Sequence, residues 1–112
     1  MRASDWPAYE DLSDELLRLM LRHGGANHEV PACSTYEPLA DRFGISAHVR
    51  SMKREDGHPG RAWPIRVQWT RQRLINHGLI VHSSDPRWRR GFWTLTPAGI
   101  QRAQQISRSR DN

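Results

Sequence analysis

Apolar residues recur along the 112-residue chain at spacings that define helices. Over 13–23, Leu16, Leu17, Met20 and Leu21 form a stripe one turn apart on a single face. Ser13 is the expected N-cap, Asp14 and Glu15 suit the positive end of the helix, and Gly24-Gly25 ends it. Upstream, Trp6, Tyr9 and Leu12 read as a short lead-in turn. Over 36–43, Leu39, Ala40 and Phe43 share a face, Pro38 is tolerated in the first turn and Gly44 suits the C-terminal cap. Ala47, Val49 and Met52 mark a further short helix over 46–52, and 53–61 reads as a polar loop. A long helix is expected over 64–77, opened by Pro64 and stopped by Gly78. Trp63, Val67, Thr70, Leu74 and the aliphatic stem of Arg71 make its inward stripe, which leaves Arg66, Trp69, Gln72, Arg73 and Asn76 facing outward.

The pattern then changes period. Leu79-Ile80-Val81-His82-Ser83 and Gly91-Phe92-Trp93-Thr94-Leu95 read as two strands joined by a loop over 84–90, a hairpin. Thr96 as N-cap and Pro97 at the first position open a last helix that runs to about 106. The domain is therefore expected over 1–106, with 107–112 a frayed tail or the start of a linker. The order is helix, helix, short helix, long helix, hairpin, helix. That is a mainly α chain with a small β-hairpin, the order of a winged helix-turn-helix. In that architecture a helix enters the major groove and the hairpin wing reaches the flanking backbone or minor groove.

Charge sharpens this picture. The net charge is +5, from 16 Arg and one Lys against 12 Asp+Glu. Residues 1–45 hold 4 Arg and 8 Asp+Glu, a net of −4, and residues 46–112 hold 13 Lys+Arg and 4 Asp+Glu, a net of +9. A basic half on a small domain points to a polyanion, with nucleic acid first, and the winged-helix order makes the expected partner double-stranded DNA. No apolar run approaches the roughly 20 residues that span a bilayer, so no membrane partner is expected. The acidic N-terminal segment lacks the apolar stretch of a signal peptide, and the single Cys33 fits a reducing cytoplasm. The six His show no ligand spacing, so no metal and no cofactor are expected. No Gly-rich phosphate loop or nucleophile elbow is present either, so no catalytic residue is assigned.

The candidate contacts fall in three places. On the long helix, Arg66 and Arg73 lie two turns apart and can pair with guanine or grip phosphate, and Gln72 and Asn76 can meet adenine; the plain alternative is a solvated face. Trp69 lies nearly opposite the inward stripe. It either stacks on a base or packs with Ile65 beneath the Trp6/Tyr9 segment or the 47–62 segment, as large rings in small domains usually pack. In the wing, Arg87, Trp88, Arg89 and Arg90 suit a narrow, negative minor groove, against the alternative of a basic loop with Trp88 folded back. Arg50, Lys53, Arg54 and Arg61 are candidate phosphate contacts.

Three stretches, in this order, carry a resemblance. They are Leu39-Ala40-Asp41-Arg42-Phe43-Gly44-Ile45-Ser46, then Arg66-Val67-Gln68-Trp69-Thr70-Arg71 followed by Leu74, Gly78 and Leu79, then Gly91-Phe92-Trp93-Thr94-Leu95-Thr96-Pro97-Ala98-Gly99. With Pro7 and Tyr9 ahead of the first helix, the chain resembles the N-terminal winged-helix domain of Mrr-like restriction proteins from about Trp6 to Ile106. The match departs over 47–62, where His48, Arg50, Lys53, Arg54 and His58 replace an acidic short helix, which adds this segment to the DNA-contacting candidates. The resemblance implies the specificity module of a modification-dependent restriction system, reading modified cytosine, with a nuclease domain in the same or another chain. The nuclease motif itself, acidic metal ligands with a lysine on adjacent strand positions, is not formed around Lys53, so no enzyme activity is expected of this chain. Two other functions suit the same fold. One is a stand-alone transcriptional regulator, which would normally dimerise on a palindromic site. The other is a protein-interaction winged helix whose acidic half faces a basic partner.

Overall fold

The computed structural model describes residues 6–111. Helix α1 spans Tyr9–His23, four residues longer at its start than the Ser13 cap predicts. Leu12 donates its backbone N–H to the Ala8 carbonyl at 3.0 Å, so Tyr9 and Leu12 belong to the helix rather than to a lead-in turn. Burial of Leu12 beside Leu16, Leu17 and Met20 extends the apolar stripe by one turn, and that outweighs the capping preference of Ser13. Glu10 and Asp11, rather than Asp14 and Glu15, then occupy the positive end.

A turn of 3₁₀ helix, Gly25–Asn27, leads into strand β1, Glu29–Pro31. A second such turn, Ala32–Ser34, precedes helix α2, Tyr36–Arg42, and Gly44 follows it at a φ of 66° that only glycine adopts cheaply. Helix α3 is one turn, Ala47–Arg50, capped by the Ser46 hydroxyl, which accepts from the Val49 N–H at 3.3 Å. The polar loop then doubles back on itself through a bridge between Lys53 and Arg61. Helix α4 runs Ala62–Asn76, so Pro64 sits in its first turn and Gly78 lies just beyond its end. Strand β2 is Phe92–Thr94 and helix α5 is Pro97–Asp111.

The wing differs from the expected hairpin. β2 pairs antiparallel with β1, with Val30 opposite Trp93, and not with a full strand over 79–83. That segment contributes one bridge, Ile80 to Leu95, and the bond from the Val81 N–H to the Thr94 carbonyl at 2.9 Å. The chain order is α1, β1, α2, α3, α4, wing, β2, α5, a winged-helix-like arrangement. β1 escapes sequence reading because Glu-Val-Pro has neither the length nor the composition of a strand. It is held instead across the sheet, where Thr94 Oγ1 donates to Glu29 Oε2 at 2.9 Å.

The core lies where α1, α4 and α5 meet. α1 contributes Leu12, Leu16, Leu17 and Met20, α4 contributes Trp63, Val67 and Leu74, and α5 contributes Ala103 and Ile106, with Val30, Trp93 and Leu95 closing the sheet side. α5 continues past the expected boundary at 106 through the segment read as a tail, because no Pro or Gly follows Gly99 and Arg110 is anchored. Its guanidinium meets Glu15, a buried carboxylate that also accepts from Arg18 and Arg42, each at 3.3 Å. Glu15 is thus the ionic hub of α1, α2 and α5. Among the described residues five ion pairs join the acidic half to the basic half: Glu15–Arg110, Asp14–Arg110, Glu37–Arg50, Asp41–Arg50 and Glu29–Arg89.

The start of α5 packs against the turn after α4 so closely that a methyl group on Gly99 would overlap the Leu79 carbonyl. Thr96 reinforces this junction, donating to the Gly78 carbonyl at 2.6 Å and accepting from the Gly99 N–H at 3.0 Å. Gly99→Ala is expected to cost about 2 kcal/mol and to lower Tm by about 8 °C or more, measured by thermal circular dichroism. An unchanged Tm would mean that the junction is looser than described.

Candidate nucleic-acid interface

The inward stripe of α4 is as the sequence predicts. Trp63, Val67, Thr70 and Leu74 are buried, and the Thr70 hydroxyl donates back to the Arg66 carbonyl at 2.9 Å. Arg71 lies half-buried with its guanidinium 5.6 Å from the Trp93 ring, and burial pushes its pKa down. The remaining face therefore points outward, and its residues meet different fates.

Arg66 is engaged. It donates to the Pro7 carbonyl at 2.7 Å through Nη2, and its guanidinium lies 4.2 Å from the centroid of Tyr9. Arg73 stacks on the same Tyr9 at 5.1 Å but stays exposed. The segment from Trp6 to Tyr9 thus lies along α4, held also by Trp6 stacking on Trp63 with centroids 5.7 Å apart. Trp69 is 53% exposed, and Arg54 from the 53–61 loop lies over its ring, 5.7 Å from the centroid. Gln72 and Asn76 are exposed and bonded to each other, Gln72 Nε2 donating to Asn76 Oδ1 at 3.1 Å.

Around Trp69 the structure forms a groove of about 190 Å³. Trp6 and Tyr9 line it from the N-terminal side, Met52 from the loop, and Ile65, Arg66 and Trp69 from α4. In the sequence Trp6 and Tyr9 read as a lead-in turn and as a cover for Trp69, not as walls of a groove. The usable signal was three aromatic rings and two arginines on segments that the helix order brings together.

The candidate phosphate contacts divide sharply. Arg50 donates to the Ile45 carbonyl at 2.7 Å and pairs with Glu37 at 2.6 Å and Asp41 at 2.8 Å. Those carboxylates, Glu37 foremost, raise its pKa, and Arg50 serves as the tie between α2 and α3. Arg54 is held by Asp56, whose carboxyl it keeps below the ordinary range, and Arg61 donates to the Ser51 carbonyl at 2.9 Å. Lys53 is exposed and makes no ion pair among the described residues.

In the wing, Arg87 bonds Asp85 through backbone and side chain, and Arg89 lies 4.0 Å from the Phe92 ring and 3.3 Å from Glu29. Trp88 is 38% exposed, and Arg90 is exposed with no ion pair among the described residues. Of these candidates, Lys53, Arg73 and Arg90 are exposed and make no ion pair among the described residues, and Trp69, Trp88, Gln72 and Asn76 are exposed on the helix and wing.

These features define the class: a winged-helix-like domain whose long helix exposes aromatic, amide and guanidinium groups. The family model of the Mrr N-terminal domain matches residues 9–105, and the chain belongs to that family. The family associates the chain with Mrr-like restriction systems, in whose proteins it is an N-terminal, non-catalytic domain. No curated protein and no solved structure matches the chain. Among the described residues no three His, Cys, Asp or Glu side chains are grouped to hold a metal ion, and no helix is long and apolar enough to cross a membrane.

The wing turn carries its own test. Hydrogen bonds from the Arg87 side chain and backbone hold the Asp85 carboxyl at about 2, below its ordinary 3.8. A lowered folded-state pKa means that the turn is fully held above about pH 4 and released as pH falls through about 2. Carboxyl-carbon NMR is expected to place the Asp85 midpoint near 2, and a midpoint near 4 would contradict the pairing.

Proposed function

We propose that this domain binds double-stranded DNA, with α4 in the major groove and the wing over 84–90 on the adjacent backbone or minor groove. The observation that carries the reading is the outward face of α4, where Trp69, Gln72, Arg73 and Asn76 project from the helix that precedes the wing. Amides and guanidinium are the groups that read base edges in that groove. Arg90 and Lys53 supply phosphate contacts from the wing and the loop. Arg66, Arg87 and Arg89 act one step removed, by fixing the N-terminal segment and the wing in place. Family membership supports a place in a restriction system, as the module that directs a nuclease domain, in the same or another chain, to modified DNA such as methylated cytosine.

Binding of a fluorescein-labelled duplex, followed by anisotropy, is expected to weaken steeply with salt. Replacing Lys53, Arg73 and Arg90 together by Ala should weaken binding and make the dependence of log affinity on log salt shallower, by about one in slope for each phosphate no longer neutralised. Unchanged affinity in that triple variant would refute the proposed docking. Duplexes with and without methylcytosine are expected to differ in affinity, and equal affinities over varied sequences would remove the modified-base reading while leaving DNA binding intact.

A further inference from the structure

The groove beside Trp69 asks for an occupant that an intact duplex does not supply. Its walls are mainly rings and aliphatic groups from three separate segments, and it opens on the exposed flank of α4. A cavity of about 150 Å³ holds one benzene ring, so a groove of about 190 Å³ has room for one aromatic heterocycle. Its rim carries three cations, Lys53, Arg54 and Arg66, against two carboxylates, Glu55 and Asp56, a net of +1 that the Arg54–Asp56 pair leaves unchanged. That balance favours a ring attached to phosphate over a cationic ligand.

We infer that the groove between the 6–9 segment, the 52–56 loop and α4 receives a single nucleobase, with Trp69 as its stacking surface. Arg54 now lies over the Trp69 ring at 5.7 Å and holds the place of that base. An incoming base takes over the face of Trp69 and leaves the Arg54 guanidinium to meet the phosphate of the same nucleotide. Arg66 uses Nε and Nη2 on the Pro7 carbonyl and keeps further N–H groups for a ring nitrogen or carbonyl of the base. A base leaves a duplex most readily where its pairing is already weak. The inference rests on the DNA-binding reading and adds the unit that is recognised, one unstacked base.

Three labelled DNAs of one sequence test it by anisotropy: a fully paired duplex, the same duplex with one base opposite an abasic site, and the single strand. The abasic-opposed duplex is expected to bind at least about fivefold tighter than the paired one. Trp69→Ala should abolish that preference and Trp69→Phe should retain it; Trp69 is exposed, so its truncation leaves the core intact. Arg90→Ala should weaken both duplexes equally and leave the preference in place. A single strand that binds as tightly as the abasic-opposed duplex, in a Trp69-dependent way, supports the groove and assigns its base to unpaired DNA. Equal binding of both duplexes, or a preference indifferent to Trp69→Ala, overturns the inference alone. Failure to bind any of the three overturns the DNA reading with it.

Discussion

Burial of Trp63 is the constraint on which the rest of the molecule depends. The indole is enclosed in the core, donates its N–H to the Tyr36 carbonyl at 2.8 Å and stacks against Trp6. Burying a side chain of that size contributes about 3 kcal/mol. Because it lies in the first turn of α4, it fixes the rotation of the whole helix about its axis. Val67, Thr70 and Leu74 follow inward at helical spacing, and Trp69, Gln72, Arg73 and Asn76 have no choice but to face out. The same ring recruits the Trp6–Tyr9 segment, and that segment in turn engages Arg66 and supports Arg73.

Arginine plays two parts in this domain. Arg18, Arg42, Arg50 and Arg110 meet carboxylates of the acidic half, and the buried Glu15 collects three of them from three helices. An unpaired carboxylate buried as Glu15 is would be strongly destabilising, so these partners are required for the fold rather than added to it. The apparent separation of −4 and +9 along the chain is therefore reduced by cross-pairing. Of the candidate contacts, Lys53 on the loop, Arg73 on α4 and Arg90 on the wing keep exposed charges with no ion pair among the described residues.

Long helices were legible from the sequence, because their apolar spacing reports burial directly. The inward stripe of α4, the Thr96 cap and the glycines at 44 and 78 all came from local chemistry, and the structure has them there. Elements held mainly by distant partners were not legible. β1 exists because Trp93 and Thr94 pair with it, and α5 persists to Asp111 because Arg110 reaches Glu15 across the fold. The exposed face of the site could be read from α4 alone. Which arginines were already occupied could not, since Arg50, Arg66 and Arg89 find their acceptors 13, 59 and 60 residues away.

In the proposed complex the outward face of α4 and the wing meet duplex DNA. Titrating a ¹⁵N-labelled sample with a short duplex, and following the backbone amides by NMR, tests it most directly. The largest shifts are expected to cluster at Trp69–Asn76 and Trp88–Arg90, with little change along α1. Shifts confined to the acidic flank of α1 and α2, or none at low salt, would contradict it.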